Sequence, residues 1–143
     1  MRLLPAIGVV AALALAGCGT SSSSPEAVVR AWSAALNRGD NESAADLFAA
    51  DARIIQGDEQ RLHGHDDAVA WNASLPCSGR IVALEPRRER VTVTFVLGDR
   101  TTSRCDGPGA RARALVRVHE GKIVLWHQLP VREAPPLRTT PVV

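Results

Sequence analysis

The sequence predicts an α+β domain in which helices come first along the chain and cover one face of a curved antiparallel sheet. Apolar residues recur at helical spacing in the first half of the chain, up to about residue 75. From about residue 80 they alternate with polar residues, which is the pattern of half-buried strands. Because the two kinds of element occupy separate stretches, a layer of helices packed on a sheet is the expected architecture.

Three helices are predicted. Ser24, Pro25 and Glu26 mark the start of the first, because they suit the cap, the first turn and the positive end of a helix. Gly39 marks its end, since glycine tolerates the left-handed conformation that closes helices. Asp40 is predicted to cap a short second helix, whose apolar side comprises Ala44, Leu47 and Phe48.

A third helix is predicted to begin near Asp66 and to stop before Pro76, which cannot continue a helix. The remaining elements are strands, and the alternation is clearest over residues 90–97. Residues 85–88 are predicted to form the turn before that strand, and Glu120-Gly121 the turn of the last hairpin. The predicted strands are residues 51–56, 61–63, 80–84, 90–97, 111–119 and 122–129.

The beginning of the chain predicts export and attachment to a membrane. A basic start precedes an apolar run over residues 3–16, which is shorter than the roughly 20 residues of a membrane-spanning helix and matches a signal peptide. The run ends in Leu15-Ala16-Gly17-Cys18, which resembles the lipobox of bacterial lipoproteins. That resemblance implies cleavage before Cys18 and a lipid on this cysteine. An ordinary cleaved signal peptide and an uncleaved anchor are the alternatives.

These features divide the chain into four predicted regions. Residues 1–17 are the signal peptide, and residues 18–24 are the lipidated cysteine with a serine-rich tether. Residues 25–130 form the folded domain, and the proline-containing residues 131–143 form a flexible tail. The lipid on Cys18 is expected to hold the protein at the extracytoplasmic side of the cell membrane.

Two further cysteines, Cys77 and Cys105, remain once Cys18 is assigned to the lipid. An even pair in an oxidising compartment predicts a disulfide. A zinc site that adds His63 and His65 is an alternative, but its spacing matches no standard zinc framework, so no metal is predicted. Two free thiols are the other alternative. No cofactor is predicted.

The charge of the chain argues against one class of partner. The formal net charge is only +2 at pH 7, whereas nucleic-acid-binding proteins present a strongly basic face. Binding to nucleic acid is therefore not expected. Tyrosine is absent from the chain, which removes one common proton donor of enzyme sites.

Five short motifs occur in a characteristic order. They are Val29-Arg30-Ala31-Trp32, Leu36-Asn37-Arg38-Gly39-Asp40, Asp46-Leu47-Phe48-Ala49-Ala50-Asp51-Ala52, His63-Gly64-His65-Asp66-Asp67-Ala68 and Gly121-Lys122-Ile123-Val124-Leu125-Trp126. Their order resembles the nuclear transport factor 2-like superfamily, which includes the SnoaL-like cyclases and the ketosteroid isomerases. The resemblance implies a cone-shaped fold with three helices on a curved sheet and an apolar pocket between them. It implies no single activity, because the fold hosts enzymes, carriers and assembly modules.

The isomerase branch of this superfamily offers a test for catalysis. Its chemistry needs a carboxylate base, a tyrosine and a protonated carboxylic acid. The corresponding positions of this chain are Gln56, Trp32 and Ala114, and none of these side chains can perform its role. An isomerase of that type is therefore not expected. His127 and Asp51 remain as candidate bases for a different reaction.

The last hairpin decides which side chains face the pocket. A type I turn with Gly121 as a left-handed bulge avoids a positive φ at Glu120. The alternative is a slipped register, which would turn His127 inward. The preferred register directs inward Ala114, Val116, Val118, Val124, Trp126 and Gln128.

Three hypotheses follow for the folded domain. The first is a pocket for a small apolar ligand or a partner protein, lined by Trp32, Gln56, Trp71, Ala114, Trp126 and Gln128. The second is a SnoaL-like enzyme that uses His127 or Asp51. The third is a module that forms a homodimer through one sheet face. That face carries Leu115, Ile123, Leu125 and Leu129.

Overall fold

The computed structural model describes residues 23–131. The signal peptide, Cys18 and most of the predicted tail lie outside the described residues. The elements are α1 (Pro25–Asn37), α2 (Asn41–Ala45), β1 (Phe48–Gln56), β2 (Asp58–Arg61), α3 (His65–Ser74), β3 (Cys77–Arg87), β4 (Arg90–Asp99), β5 (Arg111–His119) and β6 (Lys122–Leu129). Within this part of the chain, no helix is both long and apolar enough to span a membrane.

The strands form one curved, open sheet in the order β2-β1-β6-β5-β4-β3. All neighbouring strands are antiparallel except β1 and β6, which run parallel. The three helices cover one face, called the inner face here, and their apolar sides form a single core with it. The predicted α+β class with three helices on a curved sheet is therefore confirmed, and the parallel pair is the one departure from a wholly antiparallel sheet.

Helix α1 begins and ends where its sequence predicts. The Ser24 side chain accepts a hydrogen bond from the Ala27 amide at 3.2 Å, which satisfies one of the free amides at the helix start. Gly39 follows the helix with a φ of 75°, in the left-handed region. A side chain there would also collide with Thr101, whose hydroxyl oxygen lies 2.6 Å from the position of a Cβ atom.

Helix α2 is shorter than predicted, because Phe48 belongs to β1 instead. Asp40 caps the helix as expected and accepts a hydrogen bond from the Ser43 amide at 3.0 Å. Hydrogen bonding to Ser43 also lowers the pKa of Asp40. Phe48 pairs with Ile123 of β6, and the Ile123 amide donates to the Leu47 carbonyl at 2.7 Å. The sheet therefore includes Phe48, which helical spacing predicts in α2.

The turn predicted at residues 85–88 lies further along the chain. Strand β3 continues to Arg87, and Arg88-Glu89 form the turn before β4. Pro86 does not stop the strand, because β3 is an edge strand and the missing amide hydrogen of proline costs no ladder bond there. Arg88 adopts a φ of 56°, which is uncommon for a residue other than glycine.

Candidate functional site

A cavity of about 230 Å³ lies between α1 and the inner face of the sheet. Its floor is apolar and aromatic, and it includes Trp32 and Leu36 of α1. The sheet contributes Phe95, Ala114 and Trp126 to the same floor. The polar lining residues lie at the rim of the cavity and are Gln56, Ser78, Asp106, Arg113 and Gln128.

Three aromatic rings of the floor pack against one another. The ring centroids of Trp32 and Trp126 lie 4.5 Å apart, and Phe95 lies 5.9 Å from Trp32 and 6.1 Å from Trp126. Edge-to-face and offset arrangements of this kind are favourable beyond the area that they bury. The rings hold each other in place, so the floor is a preformed aromatic surface. Trp71 stands behind it, with its centroid 6.4 Å from that of Trp32.

The indole of Trp32 is fixed by a buried hydrogen bond. Its Nε1 donates to Asn72 Oδ1 at 2.8 Å, and the Asn72 amide group donates to the Ala68 carbonyl at 2.8 Å. Because an indole has one donor only, Trp32 has none left for a bound molecule. At the position that corresponds to the isomerase tyrosine, Trp32 thus offers an aromatic surface but no free hydrogen-bond donor.

The last hairpin turns differently from the prediction, yet Ala114, Trp126 and Gln128 face the cavity as predicted. Glu120 and Gly121 have φ values of 49° and 75°, so the turn has two left-handed residues, as in type I′. The predicted type I turn with a bulge at Gly121 is therefore wrong. The extra residue is Val124, which lies between the pairs Arg117–Leu125 and Val118–Ile123.

This bulge decides which side chains face inward. Val116 pairs with Trp126 and Ala114 with Gln128, and these four share the inner face as predicted. The predicted inward place of Val124 is taken by Ile123, which is fully buried in the core. Ile123 therefore cannot belong to a dimerising outer face, which was wrongly expected to include it. Dimer formation itself stays a prediction.

The structure brings five of the six predicted ligand-binding residues to one cavity. Four of them, Trp32, Ala114, Trp126 and Gln128, come from α1 and the last hairpin, and Gln56 ends β1. Trp71 does not line the cavity, because α3 directs it behind the first ring layer.

The two candidate bases lie away from the cavity. His127 pairs with Leu115 on the face opposite to Trp126, so the slipped register that would turn it inward does not occur. Asp51 is exposed on β1, and its carboxylate lies 3.5 Å from the guanidinium of Arg61. Neither His127 nor Asp51 contributes to the cavity lining. Neither side chain is therefore placed to act on a molecule bound in this cavity.

The predicted disulfide between Cys77 and Cys105 is present. It connects the start of β3 to the segment between β4 and β5, and Cys77 itself lines the cavity. Asp106 lies beside the bond, with an oxygen 3.4 Å from the Cys77 sulfur. Because the two sulfurs are bonded to each other, they are not available to a zinc ion. The alternative zinc site with His63 and His65 is therefore wrong.

A buried arginine, Arg100, supports the same segment, and no local sequence pattern indicates its role. Arg100 donates to the carbonyls of Asn72 and Leu75 at 2.7 and 2.9 Å, at the end of α3, and to Asn41 Oδ1 at 2.6 Å. Burial lowers the pKa of this guanidinium. A cation at the negative end of a helix is favourable. Arg100 thereby fixes the start of the 100–110 segment near the cavity mouth.

The comparison with protein families agrees with this geometry. A family model described as the SnoaL-like domain matches residues 29–126. The chain belongs to this family. No curated protein sequence matches the chain.

Solved structures with the same nuclear transport factor 2-like fold extend the comparison. A candidate polyketide cyclase from Sinorhizobium meliloti is 14% identical, with a TM-score of 0.60 over 71% of this chain and 93% of its own. An NTF2-like protein of unknown function from Cytophaga hutchinsonii is 12% identical, with a TM-score of 0.62 over 74% and 88%. A protein with a ketosteroid isomerase-like fold from Catenulispora acidiphila, solved with trimethylamine, is 21% identical, with a TM-score of 0.59 over 76% and 87%. These similarities show a shared fold.

Proposed function

We propose that the domain binds a small, flat, apolar molecule in the cavity between α1 and the sheet. The observation that carries this proposal is the preformed aromatic floor of Trp32, Phe95 and Trp126. Ligand sites are concave and mostly apolar, with a few polar groups that fix the orientation of the ligand. The cavity has this composition, because its polar groups are confined to the rim.

The size of the cavity limits the class of ligand. Its volume is about 230 Å³, and an apolar protein cavity of about 150 Å³ accommodates benzene. A molecule with one or two rings therefore fits within this volume, whereas a four-ring steroid would extend beyond it. The structure from Catenulispora acidiphila, which has the same fold, is a complex with the small organic molecule trimethylamine.

The chemistry of the lining favours binding over catalysis. General acid–base catalysis needs a titratable group within hydrogen-bond distance of the reacting atom. The floor is formed by aliphatic and aromatic side chains, and the charged lining residues, Asp106 and Arg113, lie at the rim. The buried aromatic surface is thus suited to holding a ring, and the one carboxylate among the lining residues, Asp106, lies at the rim.

Calorimetric titration of the full-length protein with naphthalene tests this proposal. Ala114 is almost fully buried in the floor, so Ala114→Leu occupies ligand space and is expected to weaken naphthalene binding about tenfold. Ala83→Leu is the matched control, because Ala83 is exposed on the edge strand. A steroid is expected to bind far more weakly than naphthalene. Absence of naphthalene binding, or equal binding to both variants, would contradict the proposal.

We also propose that Cys18 carries the lipid that attaches the protein to the extracytoplasmic side of the cell membrane. The lipobox-like sequence before Cys18 supports this attachment, and the Cys77–Cys105 disulfide is typical of proteins in oxidising compartments. Helix α1 begins at Pro25, so a tether over residues 18–24 spans at most about 25 Å. The cavity would therefore operate close to the membrane surface.

Fractionation of the native bacterium tests the attachment. The unchanged protein is expected in the membrane fraction with a mass that includes acyl chains and lacks residues 1–17, and Cys18→Ala is expected to lose both the acyl chains and this cleavage. Ser22→Ala is the control and should stay with the membrane. If Cys18→Ala fractionates like the unchanged protein and neither carries lipid, attachment through Cys18 is wrong.

A further inference from the structure

Two glutamines stand side by side at the mouth of the cavity. Strands β1 and β6 run parallel, with Ile54 paired to Trp126 and Ile55 paired to His127. The next residue of each strand is a glutamine, so Gln56 and Gln128 are neighbours on the inner face. Both line the cavity at its rim, two positions along their strands from the Ile54–Trp126 pair.

The two carboxamides are free to bind a ligand. Both side chains are exposed, and no side-chain hydrogen bond within residues 23–131 engages either of them. The asparagines of the core differ in this respect. The amides of Asn37 and Asn72 are occupied by contacts to Gly79, Trp32 and Ala68, respectively. The glutamines are therefore the amides of the site that are not committed to holding the fold.

The chemistry of a carboxamide defines a complementary ligand. Each glutamine offers an acceptor oxygen and a donor NH₂ group in one plane. A cyclic amide, or lactam, carries N–H and C=O on the same edge of a flat ring and can pair with such a group through two hydrogen bonds. The aromatic floor lies next to the glutamines, so one flat molecule can pack on Trp126 and present that edge to the rim.

The charges at the rim favour an uncharged ligand. Asp106 and Arg113 line the same cavity and have opposite signs. The charges of the lining residues therefore sum to zero, and the neutral carboxamides of Gln56 and Gln128 remain as recognition groups.

We propose that the cavity selects uncharged, flat ring molecules of one or two rings that carry a lactam-type N–H and C=O edge, with Gln56 and Gln128 as the residues that recognise this edge. The inference rests on the proposed ligand-binding function and names its ligand class. In this proposal the aromatic floor provides most of the binding affinity, and the two glutamines provide the specificity.

A matched pair of ligands tests this inference. Naphthalene and quinolin-2(1H)-one have the same bicyclic shape, and only the second carries the N–H and C=O edge. Their dissociation constants are measured by calorimetry for the full-length protein, for Gln56→Met/Gln128→Met and for the control Gln60→Met. Gln60 is exposed on β2 and does not line the cavity. Methionine keeps the length of the side chain and removes its hydrogen bonds.

The expected result is a change in selectivity. Loss of two neutral hydrogen bonds should weaken quinolinone binding about tenfold or more while naphthalene binding changes little, and Gln60→Met should bind both ligands normally. If naphthalene binds and the double variant weakens both ligands equally or neither, the lactam inference is wrong while the proposed binding function stands. If the unchanged protein binds neither ligand, the binding function fails and the inference fails with it.

Discussion

At the scale of single residues, Gly79 positions the aromatic floor. Its amide donates to Asn37 Oδ1 at 3.0 Å, and its carbonyl accepts from Asn37 and from Ser33, at 3.1 and 2.8 Å. These bonds hold α1 against the edge of the sheet. The position also has no space for a side chain, because a Cβ atom at Gly79 would lie 2.9 Å from the ring of Phe95. The close approach of α1 and β3 therefore depends on glycine here.

Gly79→Ala should consequently displace Phe95 and destabilise the domain. Overpacking of this kind costs about 1–3 kcal/mol of unfolding free energy. Urea denaturation provides the measurement, and Gly107→Ala provides the control, because a Cβ atom at Gly107 would meet its nearest neighbour at an ordinary 3.7 Å. Equal midpoints for both variants would show that the contact between residue 79 and Phe95 is not restrictive.

Residue-level prediction from sequence succeeded for side chains on periodic elements. Helical and strand spacing predict that Trp32 and Trp126 lie on the apolar faces of their elements, and the family resemblance implies the pocket that both residues line. Asn72 and Arg100 were not recognised. Their roles depend on partners 25 or more positions away in the chain, namely Trp32 for Asn72 and the end of α3 for Arg100. No local pattern indicates that a polar residue will be satisfied by such distant groups.

At the scale of elements, the type of the last hairpin turn is predicted wrongly, yet the inward orientation of Trp126 and Gln128 in β6 is predicted correctly. A type I′ turn and a turn with a bulge at Gly121 place β6 in different registers, and a shift of one residue reverses which side chains face inward. The bulge at Val124 supplies that one residue further along the strand. Trp126 and Gln128 therefore face the cavity although Glu120 adopts the positive φ that the prediction avoided.

The segment between β4 and β5 gives a prediction at the same scale. The Cys77–Cys105 bond closes a loop with a sequence separation of 28, for which the loss of chain entropy in the unfolded state corresponds to about 3–4 kcal/mol. Cys77→Ala/Cys105→Ala should lower the free energy of unfolding by about this amount.

Denaturation midpoints measured with and without a reducing agent check the effect. The unchanged protein should lose stability on reduction, and the double variant should not respond. A double variant as stable as the oxidised protein would mean that the remaining contacts, including those of Arg100, fix the segment without the disulfide.

At the scale of the whole molecule, sequence reasoning predicted the class and order of the elements more completely than the pairing of the strands. The helices and the β5–β6 hairpin follow from local signals. The parallel pairing of β1 with β6 joins strands from opposite ends of the domain, and local periodicity carries no information about it. That pairing is nevertheless what sets Gln56 beside Gln128, so the polar end of the site depends on the global fold.

The central claim is that the cavity floor of Trp32, Ala114 and Trp126 is a binding site for a flat, apolar molecule. Solution NMR of the isotope-labelled full-length protein with naphthalene tests it most directly, through short intermolecular distances. The account predicts nuclear Overhauser contacts from naphthalene to the Ala114 methyl group and to the Trp32 and Trp126 rings. Contacts confined to outer-face residues such as Leu115, or no contacts at saturating naphthalene, would contradict it.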